Sequence, residues 1–383
     1  MNFDWTQAEQ KLRDDVAALF DPETRARLDA LETAGVDEIR STVTAQLGRL
    51  ADTGYLAAGI EGDGVRDTLR LVGAQEVLSE ISGALLLAVE ASTRLFGGLV
   101  ARCGTDALRQ ELLGPLLAGS LIGAVAASDG ASEDAANVGV KATRTAGGLT
   151  LRGRKAFVTN GPFADWIAVV ADLDGKPVVG LVPGDAKGLT RGARVDTLGF
   201  KGLAVCAVEL DGVAVDDAHA LGPFDDRSAL DALRRTEDLV LTVASVGLMH
   251  RSLEAAKAHA VIHRRGGKPL MGHQEIRFQL AVMLTLHQTS QLYAHRAGWL
   301  VSDVDGPEAF EAAAVVRSAK VFAAEAAEQV AAAAMQILAG QGFVSGNPVE
   351  RSYRDAKYPG LAGTTTEVCR MLIADELLER NPV

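Results

Sequence analysis

His259 and His263 stand four residues apart in a helix-forming stretch, the spacing of a metal-binding pair. No Glu follows in HExxH fashion and no third ligand lies nearby, so the pair reads as structural and no metal is expected. Cys103, Cys206 and Cys369 are far apart and form no CxxC pair. That sets aside a disulfide framework and a thiolate zinc site, and it suits a reducing compartment. The chain carries no GxSxG, no Walker A sequence and no GxGxxG after a strand. No common catalytic signature therefore stands out by residue type and spacing alone. Taken alone, a carboxylate such as Glu237 near a helix start is a solvated charge.

Composition narrows the partners. Lys and Arg number 38 against 50 Asp and Glu, a net charge of -12, which argues against a nucleic-acid polyanion as the main partner. A local basic run can still hold a phosphorylated ligand. At 383 residues the chain exceeds what one core supports, so two or three packed regions are expected. The long uncharged runs at 112–128, 278–295 and 329–349 are broken by Gly and Pro or carry His and Gln, so no membrane span is expected. The first ten residues are polar and acidic, unlike a signal peptide, and a cytoplasmic protein is expected.

Hydrophobic periodicity supplies the elements that would position these residues. Helical spacing recurs over 11–20, 39–50 and 69–86. Strand-like segments follow at 139–145, 149–158, 166–172 and 177–182, separated by Gly-Gly, Asp-Gly and Pro-Gly turns. Residues 205–210 and 213–215 read as a hairpin around Asp211-Gly212. Helical period then returns in Ala- and Leu-rich stretches at 229–263, 274–304, 307–338 and 365–380. Helices, a small β block and long helices exclude βαβ alternation. The expected fold is α+β and mostly α, with a helical domain over 1–122, a β domain over 123–225 and a helical bundle over 226–383.

Several segments, in order, resemble the acyl-CoA dehydrogenase family. They are the run 112–130 into a loop at 129–134, Lys-Ala-Phe-Val-Thr-Asn-Gly at 155–161, Arg-Arg-Gly-Gly-Lys-Pro-Leu at 264–270 with Gln274, Gln-Ile-Leu-Ala-Gly-Gln-Gly at 336–342, Arg-Asp-Ala-Lys at 354–357 and Gly-Thr-Thr-Thr-Glu-Val at 363–368. The likeness spans essentially the whole chain. It implies a helical N-terminal domain, a small β-barrel and a C-terminal four-helix bundle. It also implies FAD-dependent α,β-desaturation of an acyl-CoA thioester, with electrons passed to an electron-transferring flavoprotein.

The resemblance assigns roles residue by residue. Most members carry a Glu just before the closing Gly-Thr, where this chain has Ala362 or Gly363, and neither accepts a proton. A minority resembling isovaleryl-CoA and long-chain acyl-CoA dehydrogenases places the base on the first bundle helix. There Glu237 matches, with Leu239, Leu241 and Val243 expected as its apolar surround. Phe157, Val158, Thr159, Arg264, Gln274, Gln336, Gly340, Thr365 and Glu367 are expected to contact FAD, and Ser132, Asp238 and Gly363 the substrate. The Gly363 region is expected to polarise the thioester carbonyl. Departures stand at Asp238, where the family has Arg, at His263 in place of a phosphate-binding Arg, at Gly266 in place of Phe, and at Glu133 in place of a small hydroxyl. They keep open a flavin-poor subunit of a hetero-oligomer. A dehydrogenase acting on a carrier-protein thioester is the other alternative. FAD at a subunit interface implies a homodimer or homotetramer built on the C-terminal helices.

Overall fold

The computed structural model describes residues 5–61, 64–65, 68–129, 139–302 and 308–380. Helices α1 (Gln7–Ala18), α2 (Pro22–Ala30) and α3 (Val36–Asp52) open the chain. Thr6 and Asp21 cap α1 and α2 by accepting the N–H of Glu9 and Thr24, and Glu9 closes a capping box on α1. Two short paired strands, β1 (Ile60–Glu61) and β2 (Gly64–Val65), precede α4 (Thr68–Ile81). The helix read over 69–86 is interrupted: Ser82 leaves helical geometry and caps α5 (Gly83–Glu90) through the Leu85 N–H. Beyond α5 the helix loosens into a π-helical turn, Ala91–Gly97, and tightens again as α6 (Gly98–Cys103) before α7 (Asp106–Leu117).

Strands β3 (Gly123–Ala126), β4 (Val140–Thr145), β5 (Gly148–Thr159), β6 (Trp166–Leu173), β7 (Lys176–Pro183), β8 (Leu189–Arg191), β9 (Val205–Asp216) and β10 (Ala220–Leu221) form one mixed sheet. Its ladder runs β10-β7-β6-β4-β5-β9-β8, with β3 parallel to β6. The ladder ends at β10 and β8, so the barrel is a curled sheet rather than a hydrogen-bonded cylinder. Its two halves face each other: the Cα of Gly180 on β7 lies where a Cβ would meet Leu151 of β5 and Val215 of β9. The hairpin read around Asp211-Gly212 is a single strand. Val213 pairs with Leu151 and Asp211 with Arg152, so Gly212 is an extra residue, and its turn-like signal marks a bulge.

The long helices are α8 (Ser228–Ile262), α9 (Gln274–Ser302) and α10 (Glu308–Leu338), followed by α11 (Pro348–Asp355), α12 (Tyr358–Leu361) and α13 (Thr366–Arg380). One core joins α8, α9 and α10 through Val243, Val246, Met249, Ala294, Ala297, Val316 and Ala327. A second joins the N-terminal helices to α8 through Val240, Leu241, Ala244 and Leu248, and to Phe163, Phe200 and Val205 of the β block. One face of α8 therefore packs in the bundle and another meets both preceding regions. Gly83–Cys103 and Ala312–Gln341 are long and apolar enough to cross a membrane, but 83% and 50% of their most apolar windows are buried in the fold. The first also carries the fully buried Glu90 and Arg94.

Candidate active site

A cavity of about 370 Å³ opens where α5, the π-turn, the β block, α8 and α12 converge. Its walls are largely apolar, with Leu87, Ala91, Leu95, Val125, Val240 and Leu241 prominent. Glu237 stands in it, half-buried, its Oε2 accepting from Arg234 Nη1 at 2.8 Å. Residues three apart on a helix face each other, which brings Arg234 into the cavity beside it. Of the expected apolar surround, only Leu241 lines the cavity, whereas Leu239 and Val243 face the bundle core, and Leu233 and Val240 complete the surround instead. Tyr358, from the start of α12, shares the cavity. Burial first, and then the nearby Glu237 charge, raise its phenol above the ordinary tyrosine value and keep it protonated. At the far wall Glu90 is already satisfied, accepting from Tyr55 Oη at 2.6 Å and Gln75 Nε2 at 2.8 Å, with Arg94 alongside.

Asp238, expected at the substrate, is placed differently. A helix turns by 100° per residue, so the neighbour of a cavity-facing Glu237 points elsewhere. Asp238 is buried, its Oδ1 accepting from Lys320 Nζ at 2.7 Å and from the Thr364 N–H at 2.9 Å. Lys320, fully buried on α10, also donates to the carbonyls of Ala362, at 2.5 Å, and Thr364. The closing segment is thus pinned from behind, while Leu361, Ala362 and Gly363 line the cavity. Gly363 has φ +62°, and a Cβ there would lie 2.6 Å from Asp238 Oδ1. A glycine is required both by the left-handed backbone and by that approach. Of the two positions left open for the missing carboxylate, only Ala362 has room for a side chain.

Phe157 and Thr159 line the same cavity. Lys155 pairs with Val208 and Val158 with Cys206, so Ala156 and Phe157 oppose Ala207 alone. This bulge turns Phe157 out of the alternation, at φ +54° and 62% exposed. A phenylalanine in the left-handed region is strained, and such strain collects at functional surfaces. Val158 is buried in the sheet core, so its side chain is not a cavity group. Lys155, also buried, donates to Asp129 Oδ1 at 2.5 Å and the Ala127 carbonyl at 3.0 Å, which anchors the start of the loop read at 129–134. Burial lowers its ammonium pKa while the Asp129 bond opposes that shift. Ser132 and Glu133 lie outside the described residues.

The other expected cofactor residues lie apart from Glu237. Arg264 and Arg265 pair with Lys268 and Pro269 in a minimal hairpin whose corner is Gly266-Gly267, both at positive φ. The two-residue turn explains Gly266, since both corner positions demand left-handed backbone. Arg264 donates to the Gly267 carbonyl and stays exposed, and Gln274, the first residue of α9, is also exposed. His263 ends α8 with its ring stacked 4.3 Å from that of His259. Among the described residues no group of three or more His, Cys, Asp or Glu is arranged to hold a metal. Gln336 and Gly340 are exposed around the end of α10. Thr365 accepts the Val368 N–H at the start of α13, and the exposed Glu367 lines a separate surface hollow with Lys357 and Gln329. The cavity thus gathers Phe157, Thr159, Glu237 and Gly363. Arg234 and Tyr358 went unread in the sequence, though the i,i+3 spacing from Glu237 could have found Arg234.

Models of the acyl-CoA dehydrogenase N-terminal, middle and C-terminal domains match residues 6–120, 124–213 and 235–378. The chain is 30% identical over 393 residues to benzylmalonyl-CoA dehydrogenase of Aromatoleum aromaticum, covering 98% of this chain and 100% of that one. This chain belongs to the acyl-CoA dehydrogenase family. Mitochondrial isovaleryl-CoA dehydrogenase of Solanum tuberosum is 31% identical over 80% of this chain and 75% of its own. Butyryl-CoA dehydrogenase from Megasphaera elsdenii superposes with a TM-score of 0.87 at 24% identity, covering 99% and 100% of the two chains. Acyl-CoA dehydrogenases are FAD-dependent oxidoreductases acting on CH–CH bonds. The residues present fit the flavin: an aromatic ring set out on a strained bulge and a hydroxyl two residues on form one wall of an apolar cavity. Phe157 offers a face for stacking and Thr159 a hydrogen bond.

Proposed function

We propose that this acyl-CoA dehydrogenase desaturates an acyl-CoA thioester with a branched, bulky or otherwise unusual acyl group, with Glu237 as the α-proton base. One observation carries the reading: Glu237, the closing turn at Gly363 and the Phe157–Thr159 wall line one largely apolar cavity. Glu237 is the cavity carboxylate whose partner, Arg234, reaches solvent, so it can exchange that partner for a proton. Glu90 is locked by Tyr55 and Gln75. The thioester carbonyl would lie against the Gly363 turn, where an N–H donor stabilises enolate charge as the α-proton leaves. FAD supplies the acceptor for the hydride leaving Cβ. The apolar walls keep water from the carbanionic carbon, and protonated Tyr358 adds a donor beside the base.

Electrons then pass to an electron-transferring flavoprotein, and the protein works in the cytoplasm, where its three free thiols suit reducing conditions. It assembles as a homodimer or homotetramer on the C-terminal helices. The support is an apolar groove of Phe278, Val282, Met283 and Leu286 on α9 with Val330 and Ala333 on α10. Arg264, Gln274, Gln336 and Gly340 are all exposed and lie outside the Glu237 cavity. The test is to express the chain alone, measure FAD per chain, and add a panel of acyl-CoAs without oxygen. Bleaching of the flavin with formation of an enoyl-CoA is the expected result. A flavin-free protein, or one whose flavin no acyl-CoA reduces, would overturn the reading in favour of a non-catalytic subunit.

A further inference from the structure

The mechanism above leaves unused a fully buried ammonium, Lys320, and its buried partner Asp238, both directly behind the cavity-lining turn. Bringing both charges out of water is costly, and the geometry must return something for it. Lys320 donates to the carbonyls on either side of Gly363, those of Ala362 and Thr364. Asp238 takes the Thr364 N–H, and the Ala362 N–H is spent on the Tyr358 carbonyl at 2.9 Å. Among the described residues no acceptor is found for the Gly363 N–H. The Ala362–Gly363 peptide is trans, and in a trans peptide C=O and N–H point in opposite directions. A lysine drawing the Ala362 carbonyl away from the cavity therefore drives the Gly363 N–H toward it. The charge on Lys320 also polarises that peptide, and polarised chains of hydrogen bonds make stronger donors.

We infer that Lys320 and Asp238 are positioning residues that aim the Gly363 N–H at the substrate carbonyl and strengthen it as an oxyanion donor. This rests on the acyl-thioester reading above. In this arrangement Asp238 sets Lys320 and the Thr364 N–H, while Gly363 alone touches substrate. Gly363 can sit there because it has no Cβ to strike Asp238 or Lys320.

The test uses FAD-loaded holoenzyme and the acyl-CoA that reduces wild-type flavin fastest, carrying carbon-13 at the thioester carbonyl. In the Glu237→Gln background the ligand binds without turnover, and infrared spectroscopy reads its carbonyl stretch. Lys320→Met should lose most of the red shift seen without that change. With Glu237 intact, Lys320→Met should slow flavin reduction on the order of 10²-fold, the cost of an oxyanion donor, with a much smaller change in KM. Asp238→Asn keeps volume and an acceptor for Thr364 and should lose part of the shift. It decides the matter should Lys320→Met fail to fold. A merely structural pair would change melting temperature and leave the band in place. Folded, flavin-loaded variants with the unaltered band and rate would overturn the inference and leave the proposed function standing. A wild-type holoenzyme that no acyl-CoA reduces would overturn both.

Discussion

Glu237 and Asp238 are consecutive carboxylates on one helix, and they have opposite fates. Glu237 is half-buried against Arg234, itself part-exposed, in a pair that water can reach. Asp238 is sealed with Lys320 and the Thr364 N–H, both charges almost wholly out of solvent. The first can trade its partner for a proton. The second can do so only by leaving an ammonium stranded in the interior. Side-chain type says nothing about which is which; the 100° step between neighbours on α8 decides it. A carboxylate at the end of an exchangeable pair is equipped for turnover, and one at the end of a sealed pair for holding geometry.

The comparison breaks most visibly at Glu237. Glu237→Gln should keep its FAD and bind substrate, yet slow flavin bleaching by at least about 10²–10⁴-fold in stopped-flow absorbance. Near wild-type bleaching would move the base elsewhere. In that background Ala362→Glu should recover part of the rate. Gly363→Glu should not, because its Cβ would collide with Asp238. On the sealed side, Lys320→Met strands Asp238 and should cost about 3–5 kcal/mol in urea unfolding.

Asp355 sharpens the contrast as a sealed carboxylate without a hydrogen-bonded ammonium. Burial pushes its pKa up to about 6 from 3.8, against the opposing pull of Arg251 and the Phe200 N–H. The folded state then holds this proton more tightly than the unfolded chain, so its contribution to stability falls as pH rises from about 4 to about 6. Two pKa units correspond to about 3 kcal/mol. Subtracting the unfolding free energies of Asp355→Asn from those of wild type at each pH should reveal that decline. Arg234→Gln should be mildest for stability, below about 1 kcal/mol and shrinking further with added salt, as exposed pairs do.

The order of helices, β block and helices was legible because hydrophobic period changes cleanly along the chain. So were the ends of α8 and α10, where Gly266-Gly267 and Gly340 punctuate the pattern. The hairpin at 205–215 was misread because Asp-Gly signals a bulge as readily as a turn, and only pairing with β5 separates the two. At the site, Glu237 stood out through the family resemblance, because neither Ala362 nor Gly363 supplies the carboxylate most members carry there. Asp238 was misplaced because adjacency in sequence is not adjacency on a helix. Lys320 had one available signal: a lone cation at 320 between apolar residues, on the face of α10 that buries Val316, Ala319 and Ala323. Its three partners come from distant segments, which no local pattern reveals.

The π-turn at Ala91–Gly97 carries a consequence for how this cavity can be reshaped. A π-helical turn inside a longer helix holds one residue more than the α-helical register accommodates. Leu87, Ala91 and Leu95, spaced by four, all reach the cavity across that surplus. Removing a single residue there would restore continuous α-register, leave the faces of α5 and α6 where they are, and re-aim only the residues within the turn. The cavity wall is therefore open to change by insertion and deletion as well as by substitution. A deletion one codon long would thus reshape this cavity while leaving the chemistry of every remaining side chain intact.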